Sequence, residues 1–179
     1  MSRHSEKQFA GTVRPATASD AALLTELGKQ TFYEAFSGMT APDDMAAHLK
    51  SSYNRTAIED RLKDERSLFF VAEMDSLAAG YVYAYPNRTP DCIKDTAAIQ
   101  LVRLYVRKKY YGRAVGDALM QTSIDQSRSR GYQTIWLSSW ELNHRANAFY
   151  KRWQFKAVGR QKFIVGSDIQ NDFILSRKL

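Results

Sequence analysis

In the middle of the chain, an apolar run ends in cations and small residues ahead of a helical pattern. The run Leu101–Val106 is followed by Arg107-Lys-Lys and then by Tyr111-Gly-Arg-Ala-Val-Gly116. Where a helix begins after such a turn, its first backbone N–H groups have no partner within the helix, and the helix dipole adds about half a positive charge. The spacing therefore predicts a site at which backbone amides bind a phosphate group.

The charges around this turn also favour an anion. No acid occurs between Asp95 and Asp117, and the basic residues in this interval are Arg103, Arg107, Lys108, Lys109 and Arg113. The alternative is an ordinary strand–turn–helix with a solvated basic rim. The segment differs from a Walker loop, because no Gly-Lys-Ser/Thr follows, and it lacks the three-glycine spacing of the dinucleotide-binding fingerprint.

The composition is that of a globular protein with a sizeable core, with 179 residues of which 44% are hydrophobic and 25% charged. We expect one domain over residues 11–179 behind a frayed tail of residues 1–10. No apolar run approaches the roughly 18–20 residues of a membrane-spanning helix, and Met1–Lys7 lacks the apolar core of a secretory signal. The single cysteine, Cys92, is interpreted as an incidental thiol, which fits a cytoplasmic protein.

The formal net charge of +7 raises the question of nucleic acid as a partner. The basic excess is concentrated around residues 103–113 and in the last third of the chain, and no helix-turn-helix or zinc-finger pattern accompanies it. This distribution favours a small polyanionic ligand over nucleic acid.

Hydrophobic periodicity and turn residues predict a mixture of helices and strands. We expect helices from Ser19 or Asp20 to Phe36 and at Thr40–Tyr53, Thr56–Glu65, Gly112–Arg130 and Asn143–Trp153. We expect strands at Val13–Thr17, Ser67–Met74, Ala78–Tyr85, Ala97–Val106, Tyr132–Ser138, Phe155–Val165 and Asn171–Arg177. The strand–helix–strand order from Ala97 to Ser138 indicates parallel strands. The fold class is therefore α+β around a mixed sheet.

About thirty residues after the predicted phosphate turn, a second segment reads Asn143-His-Arg-Ala-Asn-Ala-Phe-Tyr150-Lys-Arg-Trp-Gln-Phe155. Together the two segments resemble the GNAT N-acetyltransferases, which bind acetyl-CoA along a strand–turn–helix and then carry an Asn-x-x-Ala-x-x-x-Tyr-x-x-x-Gly-Phe motif. The resemblance runs from about Val13 to the end and is strongest over residues 99–155. It implies a GNAT fold: a central, mixed, mostly antiparallel sheet of six or seven strands with helices on both faces.

A closer resemblance is to the PaiA-type spermidine/spermine N-acetyltransferases. The residues that carry it are Thr31-Phe-Tyr-Glu-Ala-Phe36, Arg103-Leu-Tyr-Val106, Ile135-Trp-Leu-Ser-Ser-Trp-Glu-Leu-Asn143 and the tail from Lys162 to Asp172. This resemblance implies transfer of an acetyl group to a primary amine of a small molecule, in particular a polyamine, in a ternary complex.

The GNAT resemblance also implies the residues that bind acetyl-CoA. The pantetheine arm is expected on the backbone of β-strand residues Leu104, Tyr105 and Val106. The pyrophosphate is expected on the turn formed by Tyr111, Gly112, Arg113, Ala114, Val115, Gly116 and Asp117. Asn143 is expected to contact the cofactor arm, to cap its helix, or both. Arg107, Lys108, Lys109 and Arg113 either meet phosphates or remain solvated.

The chain departs from the family pattern at three positions. Tyr111 stands where the family usually has Gln or Arg, Ala114 replaces a turn glycine, and Gln154 replaces the glycine before Phe155. The Ala114 methyl group narrows the approach of a pyrophosphate to the backbone. We expect weaker or displaced contacts there, because the amides donate whatever the side chain is.

For catalysis, the resemblance points to Tyr150 as the acid that protonates the departing CoA thiolate; the alternative is that Tyr150 only packs its helix on the sheet. The long strand carries no Asp or Glu, so Glu141 at the end of the next strand is the first candidate for the base. Further candidates are Glu34, Glu73, His144 and a water chain. No metal is expected, because His4, His48 and His144 have no partners at ligand spacing.

Selection of the acceptor is expected from the first helices and from the loops at residues 86–96 and 166–170. Tyr33, Phe36, Tyr83 and Tyr85 are candidates for an amine pocket, with core packing as the alternative for each. Two alternatives to a small-molecule enzyme stay open: an N-acetyltransferase of a peptide or protein amine, and a non-catalytic regulator that senses CoA or binds nucleic acid. A homodimer also stays open.

Overall fold

The computed structural model describes residues 8–165 and 168–179, and the chain in these ranges forms helices and strands in the order that the sequence predicts. The strands are β1 Thr12–Pro15, β2 Leu68–Met74, β3 Leu77–Tyr85, β4 Ala98–Val106, β5 Thr134–Trp140, β6 Lys156–Val165 and β7 Asp168–Lys178. The helices are α1 Ala21–Phe36, α2 Pro42–Ser52, α3 Arg55–Lys63, α4 Val115–Ser129 and α5 His144–Arg152, with short 3₁₀ turns at Ala18–Asp20 and Lys108–Tyr110. No helix in the described ranges is long and apolar enough to cross a membrane.

Local sequence explains several of these boundaries. Pro42 occupies the first turn of α2, where its missing N–H has no cost. The side chain of Asn54 accepts a hydrogen bond from the Ala57 amide and caps α3. Asp75 and Ser76 both have positive φ angles and join β2 to β3 in a two-residue turn, which matches the twist of the flanking strands.

The seven strands form one sheet in the order β1-β2-β3-β4-β5-β7-β6. Only β4 and β5 pair in parallel, so the expectation of a mixed, mostly antiparallel sheet is confirmed. The second strand of the last hairpin, β7, lies between β5 and β6. The residues of β7 therefore line up beside the ends of β5, a placement that the chain order does not reveal.

Helices cover both faces of the sheet, as expected. On one face, Leu119, Met120 and Ile124 of α4 pack with Ile135 and Leu137 of β5 in the largest buried cluster. On the other face, α1 and α3 pack against β2 and β3. The residues of this second buried cluster include Leu24 and Leu27 of α1, Ile58 of α3, Phe69 and Val71 of β2, and Tyr81 of β3.

The sheet opens in its middle, between β4 and β5. The two strands pair over three residues each, with residues 98–100 of β4 beside residues 134–136 of β5. Beyond Gln100, β4 continues to Val106 in register with β3, and β5 continues to Trp140 in register with β7. A β-bulge lies opposite Tyr83 and Ala84, where the register of β4 shifts. Because a bulge bends its strand, β4 diverges from β5 and leaves a wedge-shaped opening that connects the two faces.

Candidate functional site

A continuous cleft of about 1690 Å³ runs through the opening between β4 and β5. Its walls come from β4, the start of α4, α5 and the end of β5, and also from α1, α2, β6 and β7. Ordinary small-molecule pockets measure roughly 300–1,000 Å³. The cleft is therefore large enough for two ligands that meet in the opening of the sheet.

One wall of the cleft is a turn of backbone amides at the start of α4. Gly112 and Ala114 adopt left-handed conformations with φ angles of 74° and 58°. The predicted start of this helix at Gly112 is therefore wrong: two left-handed residues cannot belong to a right-handed helix, and α4 begins at Val115. The first helical hydrogen bond joins the Ala118 amide to the Ala114 carbonyl over 3.0 Å.

This geometry leaves a set of donors free. Within the described residues, no protein acceptor receives a hydrogen bond from the amides of Gly112, Ala114, Val115, Gly116 and Asp117. All five of these residues line the cleft, whereas Arg113 does not, and they precede or open a helix of 15 residues. Free amides and a helix N-terminus together form an anion site.

The side chains around these amides are largely engaged with the protein. Arg113 pairs with Asp75 at 3.3 Å, and both side chains are about half exposed or more. The Asp117 carboxylate accepts hydrogen bonds from Arg152 at 2.7 Å and from the Trp153 indole N–H at 2.8 Å. These contacts attach α5 to the first turn of α4 and neutralise the one acid at the turn.

Tyr111 has an unexpected partner. The guanidinium carbon of Arg145 lies 3.2 Å from the centre of the Tyr111 ring, and both residues line the cleft. A basic group from α5 thus stands beside the position at which the family usually has Gln or Arg. Arg145 was not identified from the sequence, because nothing in the local pattern distinguishes it from the other exposed cations.

The strand residues predicted to hold the cofactor arm lie at the opening. Leu104, Tyr105 and Val106 line the cleft beyond Gln100, the last residue of β4 that pairs with β5. Leu104 and Val106 pack toward the core beneath α4. The backbone edge of this segment that faces β5 is therefore available to an extended ligand, as in β-strand addition.

Tyr150 projects from α5 into the same opening. Its ring packs edge-on against Phe149 and Phe155, with centroids 5.5 and 5.8 Å away. Burial raises the pKa of Tyr150 to about 12. Within the described part of the chain, its hydroxyl has no hydrogen-bond partner, although Tyr150 lines the cleft. The phenol is therefore protonated at neutral pH and free to donate.

Two asparagines fix α5. The side chain of Asn143 accepts a hydrogen bond from the Ala146 amide at 3.2 Å and so caps the helix while it lines the cleft. Asn147, which the sequence analysis did not single out, accepts from the Ser139 hydroxyl at 2.8 Å and donates to the Trp140 carbonyl at 3.0 Å. The Asn147 side chain thus attaches α5 to the end of β5.

The predicted base, Glu141, does not line the cleft. Its carboxylate accepts from the Asn171 side chain at 3.2 Å and lies 3.8 Å from Arg160. The position of Glu141 at the end of β5 was predicted correctly, but the strand directs its side chain toward the β6–β7 hairpin. Its geometry therefore does not support the predicted role.

The other side chains predicted as base candidates are either outside the cleft or engaged in hydrogen bonds within the protein. Glu73 pairs with Arg14 at 2.9 Å, and neither Glu73 nor the exposed His144 lines the cleft. Glu34 lines the cleft, but one carboxylate oxygen accepts from Gln30 at 3.0 Å and the other from the Lys108 amide at 2.6 Å. Glu34 thus connects α1 to the turn after β4.

The structure reveals a different acid in the cleft, Asp172 of β7. Asp172 is only 6% exposed, and one of its oxygens accepts a hydrogen bond from the Ser138 hydroxyl. Burial raises the pKa of Asp172, the Ser138 bond opposes this, and the charge of Glu141 raises it further. The sequence did contain a signal for this acid. Asp172 lies two residues before the apolar Ile174, and alternation along a strand places both side chains on the same buried face.

Aromatic rings and the partly buried Arg103 form the wall on the α1–α2 side. His48 stacks on Phe32 with ring centroids 4.3 Å apart. The Arg103 guanidinium lies 4.3 Å from the centre of the Tyr53 ring and donates to the Ser52 carbonyl at 3.0 Å. Burial and the neighbouring Arg103 lower the pKa of His48, so this imidazole is neutral at pH 7.

Of the four residues predicted for the amine pocket, the structure brings only Phe36 to the cleft. Tyr33 is 55% exposed and lies outside it. Tyr83 packs on Phe69, and the Tyr85 hydroxyl donates to Asp64 at 2.8 Å. The predicted loop at residues 86–96 contributes no lining residue. Of the loop at 166–170, Gln170 lines the cleft and residues 166 and 167 lie outside the described ranges.

Comparison with known proteins places these features in a family. Residues 30–155 match the model of the acetyltransferase (GNAT) family, well over half of the chain. An uncharacterized N-acetyltransferase from the pepI 3′ region of Lactobacillus delbrueckii subsp. lactis is 26% identical over 153 residues, 86% of this chain and 88% of that protein.

Two solved structures share the fold. The PaiA N-acetyltransferase of Thermoplasma acidophilum, solved in complex with coenzyme A, superposes with a TM-score of 0.77 at 18% identity, over 95% of this chain and 99% of that one. An Escherichia coli N-acetyltransferase that acts on an alanine of a ribosomal protein superposes with a TM-score of 0.69 at 16% identity, over 94% and 93%.

Proposed function

Since the chain belongs to the acetyltransferase (GNAT) family and is an acetyl-CoA-dependent N-acetyltransferase, we propose that its acceptor is a primary amine of a small molecule and that transfer is direct, in a ternary complex. The observation that carries this proposal is the single cleft with two differently built halves. We name these the cofactor half (Leu104–Val106, Tyr111–Asp117, Asn143 and Tyr150) and the acceptor half (Phe32, Phe36, His48, Arg103, Ser138, Gln161 and Asp172). Direct transfer requires both ligands to be bound at once, and two halves joined by one opening allow this.

The residues of the cofactor half fit acetyl-CoA. The free amides of Gly112 and of residues 114–117 suit a pyrophosphate, and the unpaired backbone edge of Leu104–Val106 suits the amide groups of an extended arm. Arg145, beside Tyr111, supplies a nearby cation. When bound, acetyl-CoA supplies the activated acyl group as a thioester.

Tyr150 serves as the acid in this proposal. Because burial raises its pKa to about 12, the phenol keeps its proton over the whole physiological range. It can therefore give that proton to a sulfur that develops negative charge in the opening of the sheet. General acids of this kind contribute about 10²–10⁴-fold to the rate.

The finer proposal for the acceptor is a polyamine such as spermidine. A buried carboxylate in the acceptor half, Asp172, is complementary to an ammonium group, and the PaiA structure shares the whole fold. The partly buried Arg103 in the same half favours a second candidate, the amine of a peptide. A peptide offers carbonyl or carboxylate oxygens to a guanidinium, whereas a polyamine offers none.

A substrate panel separates these candidates. The purified protein is incubated with acetyl-CoA and with spermidine, spermine, simple alkyl amines, amino acids and short peptides, while thiol release is followed and products are identified by mass. The proposal expects release with at least one small amine and the highest kcat/KM for polyamines. Turnover confined to peptides would select the second candidate. Absence of release with every amine, together with a salt-sensitive shift of DNA or RNA, would instead support a regulator.

A further inference from the structure

We propose that Ser138 and Asp172 take up the proton that the acceptor ammonium must lose, with Ser138 in contact with the amine and Asp172 acting through it. This assignment rests on the proposed function. It addresses a definite need, because an alkyl ammonium has a pKa near 10.4, and its deprotonation at pH 7 costs about 4–5 kcal/mol. The sequence offered no base on the long strand, and the structure removes Glu141 from the cleft.

The location of Ser138 is the first support. Ser138 lies two residues beyond Trp136, the last residue of β5 that pairs with β4, and it lines the opening. Trp136 packs with Ala98 and Ile174, whereas its neighbours Ile135 and Leu137 belong to the core beneath α4. Because side chains alternate along a strand, Ser138 shares the face of Trp136.

Tyr150 lies on the opposite face. Its ring packs against the core beneath α4, and Ser139, the neighbour of Ser138, bonds to Asn147 of α5 on that same face. The proposed proton acceptor and the proposed proton donor thus approach the opening from opposite faces of the sheet. This is the order that the reaction needs: the amine enters from one face and the thiolate leaves on the other.

The hydrogen bonds around Ser138 form a relay. The Ser138 hydroxyl donates to one oxygen of Asp172, and it accepts a hydrogen bond from the Gln161 side chain at 3.1 Å. A hydroxyl oxygen accepts two hydrogen bonds, so one lone pair of Ser138 remains for an ammonium N–H. Gln161 orients the hydroxyl and cannot itself take up the proton, because it donates through an amide NH₂.

The step balances without a further reactant. The ammonium N–H bond breaks and its proton goes to the Ser138 oxygen, while the Ser138 proton passes to the Asp172 carboxylate. The nitrogen keeps its electron pair and becomes a neutral nucleophile. A cation and an anion become a neutral amine and a neutral acid, and a poorly solvated site favours this loss of charge.

Asp172 is suited to receive the proton. Its side chain is more than nine-tenths buried, and its second oxygen has no hydrogen-bond partner within the described residues. The charged and titratable groups on the neighbouring elements are Glu141 just after β5, Arg160 on β6 and, in the wall of the same cleft, Arg103 and Tyr105 on β4 and His48 on α2. Of these, Glu141 acts directly on Asp172 and disfavours its anion.

The test is the pH dependence of kcat with the best amine from the panel. At pH 7, Asp172→Asn and Ser138→Ala are each expected to lower kcat about 10²-fold. The deficit should shrink as the pH approaches the pKa of the free amine near 10.4, because the acceptor then arrives without its extra proton. Ser138→Thr keeps the hydroxyl and is expected to restore most of the rate, and Asp172→Glu should restore part of it.

Asp95→Asn is the matched control. Asp95 also accepts a hydrogen bond from a hydroxyl of β5, that of Thr134, but it pairs with Lys178 and lies outside the cleft. This variant is expected to keep the pH profile of the unsubstituted protein. The affinity for CoA, measured by calorimetry, should be unchanged in all these variants.

The outcomes separate this assignment from the proposed function. An active protein whose Asp172→Asn and Ser138→Ala variants lose the same factor at every pH, or lose nothing, overturns the assignment alone. Should Asp172→Asn fail to fold, Ser138→Ala still decides the question. Absence of transfer to any amine by the unsubstituted protein overturns the proposed function and this assignment with it.

Discussion

The cofactor half and the acceptor half of the cleft are built on different principles. In the cofactor half, most donors are backbone amides of one continuous segment, Gly112–Asp117, next to the strand edge at Leu104–Val106. In the acceptor half, the groups are side chains from six elements that are far apart in the sequence, α1, α2, β4, β5, β6 and β7.

This difference implies different tolerance to substitution. The turn keeps its free amides although Tyr111 and Ala114 depart from the family pattern, because an amide donates whatever side chain it carries. In the acceptor half a single change removes a whole functional group, as at Arg103 or Asp172. Selectivity for the acceptor can therefore diverge among relatives while the cofactor site persists.

The largest expected effect on kcat is at Tyr150, in the opening of the sheet where the two halves meet. Tyr150→Phe removes the proposed acid and should lower kcat about 10²-fold or more. The Kd for CoA, measured by calorimetry, should change less than about twofold, because the ring and its packing remain. Tyr33→Phe, at an exposed tyrosine outside the cleft, is the control. A loss of kcat below about threefold would reduce Tyr150 to a packing residue.

Substitution of one arginine in each half compares the two halves directly. Arg103→Ala removes a partly buried guanidinium that donates to the Ser52 carbonyl and stacks on Tyr53. Hydrogen bonds from charged groups contribute about 1.5–3 kcal/mol, so kcat/KM for a peptide acceptor, whose oxygens Arg103 would bind, should fall about tenfold or more, whereas a polyamine has no such oxygen to lose. Arg113→Ala breaks only an exposed pair with Asp75 and should weaken CoA binding less than about fivefold. The reverse order of these effects would contradict the comparison.

Alanine substitutions at two glycines of the cofactor half separate the effect of an added methyl group from the effect of a strained backbone. A Cβ at Gly116 would lie 3.4 Å from the Phe149 ring, an ordinary van der Waals contact, so Gly116→Ala should leave the fold intact but add a methyl group to the wall of the cleft and weaken CoA binding about fivefold. A Cβ at Gly112 would meet nothing within 4 Å, but its φ is 74°. Gly112→Ala should therefore lower the free energy of unfolding by about 1–2 kcal/mol with little change in Kd. Urea denaturation and calorimetry measure the two effects, and equal losses of affinity would argue against a purely conformational role for Gly112.

The smallest effects are expected where the chain has already departed from glycine. Ala114→Gly relieves a left-handed conformation with φ of 58° but makes the unfolded chain more flexible. These terms oppose each other, so the free energy of unfolding should change by less than about 1 kcal/mol. Gln154→Gly, at φ of 63°, is the matched variant outside the amide turn. A large gain in CoA affinity for Ala114→Gly alone would show that its methyl group obstructs the ligand.

Much of the cofactor half could be predicted from the sequence. The turn, its free amides, the strand edge and the capping role of Asn143 all follow from residues close together in the chain, where Gly, Asn and helix-start patterns act locally. The start of α4 was placed three residues too early, because Ala114 gives no warning that it adopts a left-handed conformation. Glu141 was placed correctly at the end of its strand, but its contacts with Asn171 and Arg160 could not be predicted from the sequence.

The order of the elements, the fold class and the amide turn were thus determined by the sequence itself, since periodicity, turn residues and helix ends depend on neighbours a few positions away. Only the tertiary structure decided what lies opposite them. The insertion of β7 between β5 and β6 brings Asp172 to Ser138, and the packing of α1 and α2 near β4 brings Tyr53 to Arg103 and His48 to Phe32. These contacts join residues many positions apart, and sheet order and helix packing fix them through long-range burial that no local pattern encodes.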